Sequence, residues 1–294
     1  MSSAALLTMG ALVDEMAALL ASAHGGAETE EARELLALQF DKPRYWPFTA
    51  RDLEVTAEEH ASGIRAARRR ASGAPLQYAA GRAAFRHLTL SVDERVLIPR
   101  AETEMLVDIV LDRTRDVRGG IAVDVGTGSG AIALSLAHEG RFDRVIGTDV
   151  SLDALAVAAA NAADADGRGC AAVEMRHGSL LGPVTERGLR AVVSNPPYIS
   201  FEEASSLPPS VRNWEPPIAL FSSNNGMAAT VYLVGEAAMA LAPNGLLALE
   251  VDTRRAFIAA GAVAAHGWYQ DVQVLNDLTG RERFVVARRR EERE

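Results

Sequence analysis

Ile121-Ala-Val-Asp-Val-Gly-Thr-Gly-Ser-Gly130 is the stretch on which the fold turns. Its first five residues form a short apolar run interrupted by one acid, the pattern of a buried strand. The next five alternate glycine with small hydroxyl residues. Glycine permits a sharp turn and lets a ligand approach the main chain without a Cβ in the way. An apolar helix then begins at Ala131-Ile-Ala-Leu134. Strand, glycine turn and helix in that order place a candidate site at the carboxyl edge of a parallel sheet, where open α/β sheets bind ligands.

Downstream, the spacing predicts strands over 121–125, 145–149, 173–177, 189–194, 245–251, 270–275 and 283–287. Helices are expected over 130–138, 151–163, 227–241 and 253–265. Such alternation gives a mostly parallel sheet with helices on both faces. Upstream the pattern is helical. Leu6, Met9, Val13, Met16 and Leu20 recur at helical spacing, with Leu12 and Leu19 widening the stripe. Two more helices are expected over 28–40 and 56–72; Thr56 and Glu59 fit a capping box, and Gly73 and Pro75 end the last one. Between these regions Leu88, Leu90 and Val92 alternate with Thr89 and Ser91, and Val96-Leu-Ile98 follows a turn at Asp93-Glu94. That predicts a β-hairpin. The expected layout is a helical domain over 1–81, a linking hairpin over 82–98 and an α/β domain over 99–294.

Composition narrows the chemistry. The chain has 294 residues, 48% hydrophobic and 23% charged, with a formal net charge of −9. Those values suit a globular protein, and a net negative chain has no general electrostatic grip on nucleic acid. Arg65, Arg68, Arg69 and Arg70 form the one conspicuous basic cluster, read first as a solvated helix face. A single cysteine, Cys170, supports neither a disulfide framework nor a multi-cysteine metal site. His24, His60, His87, His138, His177 and His266 show no metal-ligand spacing, so no metal is expected. Ser129 and Ser194 lack the setting of a nucleophile elbow. The apolar stretch near the start carries Asp14 and Glu15, unlike an export signal, and no long uncharged run suggests a membrane span. A cytoplasmic location is expected.

Asp149 closes the second strand, about 20 residues beyond the glycine loop, where an acid can accept both hydrogen bonds of a ribose diol. The dinucleotide fingerprint G-x-G-x-x-G turns a helix N-terminus toward a diphosphate. Here the third glycine comes one residue early, and Asp124 just before the loop better suits a cationic group. A ligand with a ribose, a sulfonium and an ammonium but no phosphate meets these features: S-adenosylmethionine.

The fourth strand ends in Asn195-Pro-Pro-Tyr198. Neither proline has an N–H, so the backbone is rich in acceptors, and Pro196 holds Asn195 extended. The Asn195 side-chain oxygen and the Pro196 carbonyl can converge on one planar NH2 group, with Tyr198 able to stack on its flat face. Two acceptors outside the amide plane favour a more tetrahedral nitrogen and aim its lone pair. Asn195, Pro196 and Tyr198 are the catalytic candidates, and Asn195 also borders the cofactor.

These residues resemble the HemK/PrmC family of release-factor glutamine methyltransferases. The similarity spans most of the chain: Pro75-Leu-Gln-Tyr78, Val96-Leu-Ile-Pro-Arg-Ala-Glu-Thr-Glu104, Gly126–Gly130, Asp149, Asn195–Tyr198, Val211-Arg-Asn-Trp-Glu-Pro216 with Ala219-Leu220, and Asp277-Leu-Thr-Gly-Arg281. Ala101 stands where the family has proline. The family's Gly and Gln after the fifth-strand glutamate are missing, since Glu250 is followed by Val251, Asp252, Thr253, Arg254 and Arg255; and Ser179, not Asp, precedes Leu180. The resemblance implies a Rossmann-like class I S-adenosylmethionine-dependent methyltransferase sheet with a small helical N-terminal domain for substrate recognition. It implies a cofactor site of Gly126, Thr127, Gly128, Ser129, Gly130, Asp149, Leu180 and Asn195. The implied substrate site is Asn195, Pro196, Pro197, Tyr198, Arg100 and Glu102. The expected partners are class 1 peptide chain release factors, methylated at the glutamine of their Gly-Gly-Gln tip, with no membrane or direct nucleic-acid contact and a monomeric enzyme. A glutamine of a large-subunit ribosomal protein, or an adenine amino group, is the alternative substrate, because adenine amino-methyltransferases share the Asn-Pro-Pro-Tyr motif.

Overall fold

The computed structural model describes residues 7–21, 28–165 and 170–291. Leu6 of the N-terminal stripe and His24 lie outside them. The chain divides into two compact units. The first holds the chain up to Ala84 together with Ser91–Glu94 and Pro208–Trp214; the second holds Phe85–Leu90, Arg95–Leu207 and the chain from Glu215 onward.

The first unit is built from α1 (Met9–Ala21), α2 (Glu28–Gln39), the short α3 (Trp46–Thr49), α4 (Ala57–Ala71) and the short α5 (Leu76–Ala80). The stripe Met9, Leu12, Val13, Met16 and Leu20 is buried against Leu35, Leu36 and Ile64. The expected capping box is present: Thr56 Oγ1 accepts from Glu59 N–H at 3.1 Å, and Glu59 Oε2 accepts from Thr56 N–H at 2.7 Å.

The hairpin consists of β1 (Arg82–Phe85) and β2 (Leu88–Ser91). It does not include Val96-Leu-Ile98, which is not a strand. The turn falls at Arg86-His87, with Arg86 at φ 52°. No glycine or asparagine marks it, so local turn chemistry gives no signal. Tertiary contacts hold the unfavourable backbone instead. Arg86 N–H donates to Glu104 Oε1 at 2.9 Å, and its guanidinium pairs with Glu139 and Asp108 at 2.7 and 2.8 Å.

The second unit contains α6 (Ala101–Thr114), β3 (Ile121–Val125), α7 (Ala131–Glu139), β4 (Arg144–Asp149), α8 (Leu152–Asp164), β5 (Ala172–His177) and β6 (Leu189–Ser194). Short helices α9 (Pro209–Arg212), α10 (Pro217–Leu220) and α11 (Ser223–Gly226) follow, the first belonging to the other unit. Then come α12 (Ala228–Ala240), β7 (Leu241–Glu250), α13 (Ala256–Ala265), β8 (Tyr269–Asn276) and β9 (Glu282–Arg289). All seven expected strands of this sheet are present. Helix α6 is an addition to the sequence reading, although Thr103, Leu106, Val107, Val110 and Thr114 bury one helical face.

The sheet order is β5-β4-β3-β6-β7-β9-β8. Strands β5 through β7 run parallel, and β9 is antiparallel to both β7 and β8. The chain moves outward from β3 to β5, then returns to pair β6 beside β3. Side chains alternate between two cores: Val123, Val125, Val192 and Leu247 join α12 and α13, whereas Ala122, Ala191, Val193 and Leu246 join α6 and α7. The order reversal between β3 and β6 is a topological switch point, the usual place for a ligand in such sheets.

Candidate active site

A cavity of about 480 Å³ opens at that switch point. Val125, Gly126 and Gly128 line it from the end of β3, Asp149 and Val150 from the end of β4, and Ser194, Asn195, Pro196 and Pro197 from the end of β6. Its size is within the range of small-molecule sites.

Gly126 and Gly128 adopt φ 74° and 54°, and a Cβ built on either meets no protein atom within 4 Å. Such side chains would be strained at these φ values, and both glycines line the cavity. Gly128 N–H donates to Asp149 Oδ2 and Ser151 N–H to Asp149 Oδ1, each at 2.9 Å. The carboxylate is therefore held by two backbone donors at the edge of the cavity it lines. Leu180 also lines the cavity, at φ 47°, with its carbonyl accepting from Thr148 Oγ1 at 2.8 Å. A branched residue held in the left-handed region is uncommon and concentrates at ligand sites.

Thr127, Ser129 and Gly130 belong to the loop but do not line the cavity. Thr127 Oγ1 donates to Asp124 Oδ2 at 2.6 Å, the Ser129 carbonyl accepts from Asn161 Nδ2 at 2.8 Å, and Gly130 caps α7 at φ 84°. Asp124 does not face the cavity as a partner for a cation. It is fully buried, accepts also from Ala133 N–H at 3.1 Å, and its Oδ1 has no hydrogen-bond partner. Burial pushes its carboxyl up to about 7, against the pull of the Thr127 and Ala133 hydrogen bonds. Asp124 thus ties the loop to the first turn of α7.

At the second strand end, Asn195 Nδ2 donates to Thr103 Oγ1 at 3.2 Å, and Thr103 Oγ1 donates to Glu250 Oε2 at 2.7 Å. Thr103 and Glu250 are buried. Nothing in the sequence gives either residue a role, because the contacts that join them span 92 and 147 residues. Tyr198 does not line the cavity. It is half-buried, and burial, followed by the Glu250 charge, pushes its phenol up to about 12. Gly226, at φ 82°, abuts the Tyr198 carbonyl, where a side chain would clash. Arg100 and Glu102 do not line the cavity either. Arg100 pairs with the buried Glu215 at 2.5 Å, and Glu102 lies in the first turn of α6.

The cavity wall also holds a pair missed in the sequence. Phe201 and Phe221 stack with ring centres 5.5 Å apart and 18° between planes, next to Ile218. They lie 20 residues apart in a segment of short turns, so no periodicity signals them. The residues departing from the family pattern have a structural use. Arg255 is buried and donates to the Asn225 carbonyl at 2.7 Å and to Glu203 Oε2 at 2.5 Å. It thereby anchors a turn in which Asn224 and Asn225 both adopt positive φ, at 54° and 52°.

Two family models match the chain: the PrmC N-terminal domain over residues 11–81 and the methyltransferase small domain over residues 101–207. The release factor glutamine methyltransferase of Moorella thermoacetica is 44% identical over 76% of this chain and 78% of its own length. The chain belongs to the release factor glutamine methyltransferase family. The enzyme of that name from Deinococcus radiodurans is 39% identical over 80% of this chain and 82% of its own. That from Xylella fastidiosa is 36% identical over 92% of this chain and 97% of its own, so family similarity extends through both units. A methyltransferase structure from Pyrococcus furiosus, 18% identical, shares the fold over 71% of this chain and 92% of its own with a TM-score of 0.53. Among the described residues no helix is long and apolar enough to cross a membrane, and no group of three or more acidic, histidine or cysteine side chains is placed to hold a metal.

Proposed function

We propose that this chain transfers a methyl group from S-adenosylmethionine to the side-chain amide nitrogen of a glutamine in peptide chain release factors, the glutamine of their Gly-Gly-Gln tip, and does so in the cytoplasm. The observation that carries this reading is the placement of Asn195-Pro-Pro197 and of Gly126, Gly128 and Asp149 around one cavity in a member of this family.

S-adenosylmethionine supplies an already activated methyl group on a sulfonium. Asp149 is suited to its ribose hydroxyls, Gly126 and Gly128 give its backbone-hugging portion room, and Val150 and Leu180 offer apolar surface to the base. Thr127, Ser129 and Gly130 fix the course of the loop without bordering the cavity. The substrate amide is planar and its nitrogen lone pair is delocalised. Asn195 Oδ1 and the Pro196 carbonyl accept its two N–H groups, hold it against the methyl donor and favour pyramidal nitrogen. Alignment of this kind contributes roughly 7–11 kcal/mol in favourable cases. Pro197, Phe201 and Phe221 wall the approach, and Arg100 acts at one remove by holding Glu215 beside Pro216 of the cavity wall.

Glutamine is common and a flat amide offers little to read, so choice of target requires surface beyond the cavity. The N-terminal helical unit is suited to that task. Arg65 and Arg68 on α4 are exposed, whereas Arg69 pairs with Glu94 and Arg70 with Glu31. Arg65 and Arg68, rather than Arg69, are therefore the basic contacts offered to an acidic partner.

Mass spectrometry of a purified release factor after incubation with enzyme and S-adenosylmethionine tests the reading. One added methyl at the tip glutamine is expected. An unmodified release factor, beside a methylated ribosomal protein or adenine, would overturn it.

A further inference from the structure

Asn195 can present either its oxygen or its NH2 to a substrate, and only the oxygen can accept from an amide. What decides this lies behind the cavity wall. Thr103, from the first turn of α6, and Glu250, at the end of β7, meet the strand end of β6 in a chain of two hydrogen bonds. A threonine hydroxyl has one proton to give. Glu250 Oε2 takes that proton, and Thr103 Oγ1 is left to accept from Asn195 Nδ2. The NH2 is thereby drawn away and Oδ1 is the amide atom left for the cavity.

We propose that Thr103 and Glu250 are positioning residues for methyl transfer, fixing through one hydroxyl which end of the Asn195 amide meets the substrate. The proposal rests on the reading of the reaction given above, but the orientation it asserts is observable without turnover. Neither residue lines the cavity, and the hydrogen bonds that join them to its wall run through Asn195. Both are buried, so loss of one partner leaves the other without water to replace it.

The test compares Thr103→Val, Thr103→Ser and Glu250→Gln in the full chain. Thr103→Val removes the hydroxyl at nearly constant shape. It is expected to lower kcat about 10- to 100-fold, the scale of a small misplacement of reacting groups. KM for release factor and the calorimetric Kd for S-adenosylmethionine should change by less than about threefold, the mark of an interaction used in the transition state. Thr103→Ser restores the hydroxyl and should recover most of kcat. Glu250→Gln can donate as well as accept, so it frees the polarity of the chain and should lower kcat by several-fold. In the double variant Glu250→Gln should add little to Thr103→Val, because both act through one path. Proton exchange of the Asn195 side-chain NH2, followed by NMR with 15N labelling, should be slow in the wild type and Thr103→Ser and fast in Thr103→Val. If Thr103→Val does not fold, Glu250→Gln and its exchange rate carry the test. Wild-type kcat and exchange in the variants, or a loss that serine does not restore, would overturn the proposal. Failure of the wild type to methylate any release factor would instead sink the substrate reading, leaving the exchange measurement to judge the orientation.

Discussion

The ends of β3 and β6 border the same cavity, yet they are held by different means. The Gly126–Gly130 loop is fixed by its own backbone and by the strand and helix that follow it: positive φ at three glycines, Asp124 three residues from Thr127 and nine from Ala133, Asp149 at the end of the adjacent strand 21 residues from Gly128, and Asn161 on α8 32 residues from Ser129. The Asn195–Tyr198 end is fixed from far away, by Thr103 on α6, Glu250 on β7 and Gly226 after the strained Asn224-Asn225 turn. The first arrangement makes space and the second aims atoms. A loop that only needs a shape can be specified largely by its own residues and the next β-α unit. A side chain that must point one way needs partners from several elements.

The sharpest way to break this contrast is to damage each end separately. Gly128→Val places a β-branched side chain at φ 54° with its Cβ projecting where a ligand needs room. Binding of S-adenosylmethionine should fall below calorimetric detection. Asn195→Ala should instead keep most cofactor affinity and lower kcat on the order of 100-fold or more, the scale for removing one preorganised polar group. If Asn195→Ala loses cofactor binding as completely as Gly128→Val, the two ends do not divide the work as described.

The same contrast explains what could be read in advance. The seven strands of the sheet and the helices of the sheet connections follow from period and turn residues, and the glycine loop and Asn195-Pro-Pro197 announce themselves because proline and glycine act on their own backbone. The run Val96-Leu-Ile98 mimics a strand and draws the expected hairpin too far along the chain, while the true turn at Arg86 depends on Glu104, Asp108 and Glu139. The roles expected of Arg100 and Glu102 at the substrate did not translate into cavity contacts, since the sequence carries no sign of the partner Glu215. Thr103 and Glu250 were visible as letters, but a chain of hydrogen bonds across three elements leaves no spacing to detect.

A smaller effect sharpens the account of the cofactor end. Asp149→Ala should weaken S-adenosylmethionine binding by about 1–3 kcal/mol, the scale for hydrogen bonds to a charged group. The carboxylate also accepts from Gly128 N–H, so part of that loss comes through the loop. Asp149→Asn keeps one acceptor and should lose less. Equal calorimetric affinities for wild type and Asp149→Ala would remove Asp149 from the cofactor site.

A pH-dependent effect concerns how the glycine loop is tied down. Asp124 is held in place by Thr127 and Ala133, yet burial raises its carboxyl to about 7, well above the range of an unfolded chain. The folded state therefore binds this proton more tightly than the unfolded state. Stability from it is fully present below about pH 4, falls as pH rises, and is gone above about pH 7, a total on the order of 3–4 kcal/mol. Asp124→Asn keeps an acceptor for both donors and carries no charge, but it places an NH2 where Oδ1 already has no partner. Wild type at pH 5 is protonated and puts its O–H at that same unpartnered position, so the two proteins should differ little in stability there. Toward pH 8 the variant should become the more stable, because only the wild type then carries a buried charge. Glu250, also raised to about 7 by burial, is present in both proteins and cancels in the difference. Thermal unfolding of the two ligand-free proteins at pH 5 and pH 8 gives the comparison directly. A Tm difference that is the same at both values would mean that Asp124 does not titrate in this window, and that the loop is held by an ordinary ionised carboxylate.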